Sequence, residues 1–238
     1  MIQFKLSASV AHNLATDPKN KADKLSQTAI TFIETWYKEK LYGRRKEFTS
    51  KTTDKGNIVE DESIEYAAKL LNWAAFKAVK NTERFENDFF KGIPDIWQVD
   101  MKNSYDCFSF PYFKSDTISK ENFAQMQVYM DLTGLDFWQV VYTLMDMPED
   151  MVKDEAWKDW KYKYKEKLEF TEVYEITKAK HTYSHLPDSL RIRVFDVHRD
   201  QDFIDKLKMR VGYANEYIGE NLYKPEHDAI FQMYLNAA

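Results

Sequence analysis

The sequence predicts a mixed α/β fold, in which helices flank a small central mixed β-sheet. Three observations carry that expectation. Apolar residues recur at helical spacing before Arg84 and again in later segments. Between Arg84 and Phe110 they fall instead into short aromatic and β-branched runs punctuated by Gly92 and Pro94. Two further strand-length runs alternate with helical segments, the pattern of a layered α/β domain.

Taken in order, Ala29 to Tyr42 reads as a helix with Ile30, Ile33, Tyr37 and Leu41 on one stripe. A polar loop is expected from Gly43 to Gly56. A longer helix follows over Val59 to Lys80, its stripe formed by Ile64, Ala67, Ala68, Leu71, Ala74, Ala75 and Ala78. Asp61 and Glu62 suit its first turn, where the helix dipole favours anions. Phe85 to Lys91 and Ile93 to Phe110 read as hairpin strands. Glu121 to Leu132 is a helix ending near Gly134, and Phe137 to Leu144 a buried strand. Trp157 to Leu168 reads as a helix, Leu190 to Val197 as a strand, and Asp202 to Ile218 as a long closing helix.

Composition narrows the function classes. At 238 residues the chain, 1–238, fits one domain able to bury its own core. The single cysteine, Cys107, rules out a disulfide framework and any multi-cysteine metal site; it is read as a small core residue. No signal-like amino terminus and no membrane-length apolar run stands out, so a soluble cytoplasmic protein is expected, with no membrane partner. The net charge of −5 argues against a protein that holds nucleic acid by bulk positive charge. Contact with DNA would have to be local, through a lined groove or a cation that masks carboxylates.

The most informative stretch is Gly92-Ile93-Pro94-Asp95-Ile96-Trp97-Gln98-Val99-Asp100-Met101-Lys102. On a strand, Asp100 and Lys102 share one face while Val99 and Met101 take the other. Asp95 precedes a turn that can bring it beside Asp100. Two carboxylates and a lysine on one rim suit phosphodiester hydrolysis. The carboxylates offer oxygen ligands to a hard cation such as Mg²⁺, which acidifies a bound water and offsets charge on the phosphate. The lysine orients or deprotonates that water, or balances charge. Alone, the pattern is also what a surface salt bridge on a hairpin would show.

Two flanking motifs add weight. Gly56-Asn57-Ile58-Val59-Glu60 stands at the start of the long helix, and Gln125-Met126-Gln127-Val128-Tyr129 lies in the helix after the hairpin. Gln125 and Tyr129, four apart, face the same way. Singly, Glu60 reads as a dipole partner and the other two as ordinary amphipathic residues. Together, in this order and on these elements, they resemble the lambda-exonuclease, YqaJ-like viral recombinase and RecB-type branch of the PD-(D/E)XK nuclease superfamily. The stretches Asn122 to Met130 and Val99 to Lys102, the latter followed by the aromatic run Cys107 to Pro111, carry most of the likeness.

That resemblance implies a restriction-endonuclease-like core over about 56–145, with a helical part before it and a strand–helix extension after it. It makes Glu60, Asp95, Asp100 and the Met101 carbonyl ligands of Mg²⁺, with Mn²⁺ as substitute. Lys102 becomes the catalytic lysine, while Gln125 and Tyr129 flank the site, Gln125 steering the water or touching DNA. It further implies a 5′→3′ exonuclease on double-stranded DNA ends, working in the bacterial host cytoplasm if phage-encoded. A homo-oligomer and a single-strand annealing recombinase partner would accompany it. Only four residues separate Asp95 from Asp100, fewer than relatives usually place there. Two alternatives therefore stay open: an endonuclease or resolvase on the same fold, and a weakly catalytic fold kept as a DNA- or protein-binding module.

Other features carry less. Arg44-Arg45-Lys46 is a phosphate-contact candidate. Trp157 to Lys167, with its five lysines, reads first as a docked helix with solvated charges. His181 and His185 lack further zinc ligands, and Pro187-Asp188 with Asp196 mimics the motif without a lysine.

Overall fold

A computed structural model describes residues 2–46, 51–74 and 79–235 of the chain. The chain opens with β1 (Leu6–Ser7) and the short α1 (His12–Ala15), followed by α2 (Gln27–Tyr42), α3 (Lys51–Ile58) and α4 (Glu60–Leu70). The strands β2 (Phe85–Glu86), β3 (Phe90–Gly92) and β4 (Val99–Asn103) come next, then α5 (Lys120–Thr133), β5 (Phe137–Thr143), α6 (Glu149–Asp159) and α7 (Phe170–Lys180). β6 (Ile192–His198), α8 (Gln201–Tyr217) and α9 (His227–Leu235) complete the order.

The mixed α/β class holds, with the strands divided between two small mixed sheets rather than gathered in one. The first has the order β1-β3-β2, with β1 parallel and β2 antiparallel to β3. The second has the order β4-β5-β6, with β4 parallel and β6 antiparallel to β5. The Gly92–Pro94 break thus separates two sheets instead of bending one hairpin. Parallel β4 and β5 need a crossover, and α5 supplies it.

The second sheet is covered on both faces, which is why β5 reads as an unbroken apolar run. Trp138 and Val140 face the main core, where they meet Met126 and Met130 of α5 and residues as distant as Phe4 and Phe231. Val141, Val99 and Met101 face the other way and pack with Ile64 and Ala67 of α4. The register Asp100↔Val140 therefore turns Asp100 toward α5.

Local chemistry sets the helix ends. Ser26 caps α2 by accepting from the Ala29 amide, and Gly43 ends it at φ 59°. A side chain at Gly43 would also strike the Tyr234 ring, 2.5 Å from where its Cβ would lie. Ser119 and Gly134 bound α5 in the same manner.

Several expectations need correction. The Val59–Lys80 helix stops at Leu70, because Asn72 turns left-handed (φ 51°) and the Trp73 amide bonds back to the Ala68 carbonyl. Ala75 and Ala78 lie outside the described residues. Part of the Gly43–Gly56 loop is α3, held by Lys55, whose fully buried ammonium donates to the carbonyls of Ser104, Tyr105 and Met145 at 3.0, 3.0 and 2.6 Å. Of the Ile93–Phe110 run, only Val99–Asn103 is a continuous strand. The Trp157–Leu168 helix straddles the end of α6, which begins at Glu149 and closes in a single π-type turn over Trp160–Tyr164. The unforeseen α7 is fixed by a capping box between Glu169 and Glu172. Cys107 is exposed rather than in the core.

Candidate active site

The site begins with the turn that joins Asp95 to β4. Ile96 and Val99 exchange backbone hydrogen bonds of 3.3 and 3.2 Å around Trp97 and Gln98, and Gln98 takes a positive φ of 63°. That two-residue reversal is tight enough to fold Asp95 back along the strand. Asp95 Oδ2 accepts from the Met101 amide at 3.1 Å. The short spacing between the two carboxylates is therefore accommodated by a turn.

β4 is an edge strand, and its backbone polarity alternates. Gln98 and Ser104 bond to β5 through Gln139 and Thr143. Met101, of the opposite parity, directs its amide at Asp95, so its carbonyl also faces the open edge.

Asp100 is fully buried. Its Oδ1 accepts a 3.1 Å hydrogen bond from Gln125 Nε2. Lys102 Nζ stands 2.7 Å from Oδ2 and is its ion-pair partner. Gln125 organises the rest. Its Nε2 also donates to the Tyr129 hydroxyl at 3.1 Å, and its Oε1 accepts from Lys102 at 3.2 Å. Tyr129 donates to the Ile93 carbonyl at 3.0 Å. Gly92 permits this approach, since a Cβ there would lie 2.8 Å from the Tyr129 ring.

The electrostatics follow from crowding acids out of water. Burial first, and then Asp100, push the Asp95 carboxyl up to about 7, against the opposing pull of Lys102 and the Met101 amide. Burial alone would lower Lys102, but the Asp100 carboxylate outweighs it and holds the ammonium above its ordinary range. Tyr129 is likewise pushed up by burial and then by Asp100, so it is a neutral phenol at this site.

The structure thus brings Asp95, Asp100, Lys102, Gln125, Tyr129 and the Met101 backbone together. Glu60, the first residue of α4, lies near enough to raise Asp95 slightly, but its Oε2 is 2.5 Å from Lys80 Nζ. Among the described residues, no three carboxylates or imidazoles stand close enough to enclose a metal ion. What is present still fits a hard cation. Two carboxylates and an outward carbonyl form an all-oxygen donor set, and Asp100 Oδ2 is buried with Lys102 as its charged partner. Mg²⁺ characteristically takes one or two carboxylates and keeps several waters.

Asp95, Gln125 and Tyr129 line one side of a cleft of about 1180 Å³. Lys5, Lys40, Arg44, Arg45, Lys46, Arg84 and Lys91 line it too, against the acids Glu39 and Glu86. Burial and then the like charges of Lys40, Arg84 and Arg45 push Lys91 below its ordinary range. The cleft is locally basic although the chain is acidic.

Sequence reasoning offered Arg44-Arg45-Lys46, all three of which line the cleft, but missed Lys80, Lys91 and the Asn122–Tyr142 hydrogen bond of 2.5 Å. Asn122 carried a signal, standing three residues before Gln125 on the same helix face. Tyr142 pairs with Lys102 across the sheet, a register invisible in the sequence. Asp188 and Asp196 are engaged elsewhere, with Tyr66 and Gln139.

No protein-family model and no curated protein matches the sequence significantly. Solved structures do. A phage-related exonuclease from Haemophilus somnus 129PT is 27% identical and superposes at a TM-score of 0.74, covering 100% of this chain and 98% of that one. The alkaline exonuclease LHK-Exo from Laribacter hongkongensis shares the fold at a TM-score of 0.61 and 13% identity, covering 98% and 95%. Its complex with dAMP gives 0.60. An end-to-end likeness of this kind gives the chain the fold of the phage-type exonucleases, and a strand that presents Asp100 and Lys102 to a neighbouring Asp95 is consistent with the PD-(D/E)XK nuclease superfamily.

Proposed function

We propose that the protein is a Mg²⁺-dependent deoxyribonuclease that degrades double-stranded DNA from its ends, with 5′→3′ polarity. The observation that carries this reading is the cluster of Asp95, Asp100 and Lys102, which reaches a basic cleft through Asp95. Asp95, Asp100 and the Met101 carbonyl would hold the cation, with Glu60 joining them. When bound, Mg²⁺, or Mn²⁺ in its stead, supplies Lewis acidity toward a water and the scissile phosphate.

The chain's own residues do the rest. Lysines and arginines of the cleft bind backbone phosphates and bring the scissile group to β4. Lys102, held protonated by Asp100, contributes positive charge where negative charge grows on the phosphate, which favours charge balance over base catalysis. Gln125 is spent on Asp100, Lys102 and Tyr129, so it positions the carboxylate and the ammonium rather than reading DNA.

The preference for ends is drawn from likeness to a protein described as a phage-related exonuclease, and the polarity from the motif resemblance of Val99 to Lys102 and Asn122 to Met130 alone. A role in phage-type recombination, a single-strand annealing partner, a homo-oligomer and a cytoplasmic setting belong to the same proposal. Among the described residues no helix is long and apolar enough to cross a membrane.

Digestion of linear and circular duplex DNA, with Mg²⁺ or EDTA, by wild type and Lys102→Ala tests the reading. Loss of linear DNA alone, abolished by EDTA and by the substitution, is expected. Cutting of circles would replace it with an endonuclease, and inertness with every divalent cation would leave a binding module.

A further inference from the structure

Lys80 reaches the candidate site from an unexpected direction. Its backbone forms an antiparallel bridge with Ile96, and the next amide, of Asn81, donates to the Asp95 carbonyl at 2.8 Å. The Asn81 side chain adds a 3.0 Å bond to the Pro94 carbonyl. The main chain at Lys80 is therefore fastened to the turn that carries Asp95. From there the side chain crosses to the start of α4 and places Nζ 2.5 Å from Glu60 Oε2 and 3.5 Å from Asp61 Oδ1.

A surface ion pair is the plain account of such a contact, but it does not explain the placement. Glu60 already sits in the first turn of a helix, where the dipole favours an anion without help. The ammonium lies on one oxygen of this carboxylate at the distance of a direct contact, which leaves that oxygen engaged before a hard cation arrives. Asp61, 84% exposed, stands close by as a second acceptor. Exposed ion pairs differ little in strength, so exchanging one partner for the other costs little.

We propose that Lys80 is the resident counter-cation of this site: it occupies Glu60 in the cation-free protein and passes to Asp61 when a divalent cation takes the Glu60 carboxylate. This rests on the reading of Glu60, Asp95 and Asp100 as the cation-binding carboxylates. Lys80 then competes with the divalent ion, and its removal strengthens cation binding.

The test is Mn²⁺ binding to the full chain without DNA, read from the loss of the free-ion paramagnetic resonance signal. Lys80→Met is expected to bind Mn²⁺ roughly 1.5-fold to fivefold more tightly than wild type, the scale of an exposed ion pair. Lys80→Gln, a second neutral variant, behaves alike, and Lys80→Arg keeps the wild-type affinity. Asp61→Asn weakens binding more in wild type than in the Lys80→Met background, because its effect runs through Lys80. Unchanged or weaker binding in both neutral variants, with Glu60→Gln still weakening it, would overturn the competitor role and leave the site standing. Binding untouched by Glu60→Gln would overturn both the role and Glu60 as a ligand.

Discussion

Gln125 holds Asp100 from α5, with its Nε2 3.1 Å from Asp100 Oδ1 in a fully buried contact. The same amide serves Tyr129 and Lys102, so one side chain satisfies three polar groups at once. Gln125→Leu leaves a buried carboxylate oxygen without its donor. The expected cost is about 1–3 kcal/mol of stability by urea unfolding, with nuclease activity falling roughly 10- to 100-fold as Asp100 loses its aim. Wild-type activity in a correctly folded Gln125→Leu protein would show that the amide plays no positioning part.

Lys102 is the cation nearest Asp100, so removing it exposes what the buried carboxylate costs. Lys102→Met is expected to lose about 3–5 kcal/mol, the penalty for an uncompensated buried charge. Added Mg²⁺ should then raise the melting temperature of the variant more than that of wild type, since a bound cation replaces the missing charge. Equal shifts in differential scanning fluorimetry would place cation binding away from Asp100.

The elements that position this site were largely legible, and the reason is physical. Asp100, Lys102, Gln125 and Tyr129 sit at period 2 on a strand and period 4 on a helix, and both rules act within a few residues. The apolar run of β5 and the Ser119 and Gly134 boundaries of α5 are local signals of the same kind. What stayed hidden depends on distant pairing. β1 lies parallel to β3 through Leu6↔Phe90, and Tyr142 meets Lys102 by register. Lys80 reaches Glu60 after the helix before it stops at Leu70, just ahead of Asn72, a left-handed non-glycine residue that the alanine stripe concealed. Nor did the net charge reveal the basic cleft, since it averages over faces that the fold keeps apart.

That separation leads to a salt prediction. If the cleft holds phosphates, each lysine or arginine contact releases counterions, and log affinity falls with log salt by about 0.9 per contact. Arg45→Ala should weaken duplex binding in Ca²⁺ or EDTA and reduce that slope by about one. Lys161→Ala, on the π-type turn after α6 and outside the cleft lining, should leave the slope unchanged. Fluorescence anisotropy across a salt series reads both. A slope that drops for Lys161→Ala and holds for Arg45→Ala would move the DNA track to the other face.

Glu155 sets the acid limb of stability, away from the site. Burial would raise its carboxyl, but the Tyr105 hydroxyl at 2.7 Å, Lys51 at 2.9 Å and His181 at 3.1 Å together carry it down to about 2. A carboxylate whose folded pKa lies below its unfolded value of 4.5 adds stability that is full above 4.5 and lost as pH falls toward 2. Glu155 is partly solvated, so the discounted contribution is about 1–2 kcal/mol. Glu155→Gln should therefore destabilise the protein at neutral pH and flatten its stability profile between pH 4.5 and 2, measured by urea unfolding at fixed ionic strength. A variant with the same acid slope as wild type would assign that limb to other carboxylates, with Asp146 next in line because the Tyr183 and Ser184 amides hold it below its ordinary value against its burial.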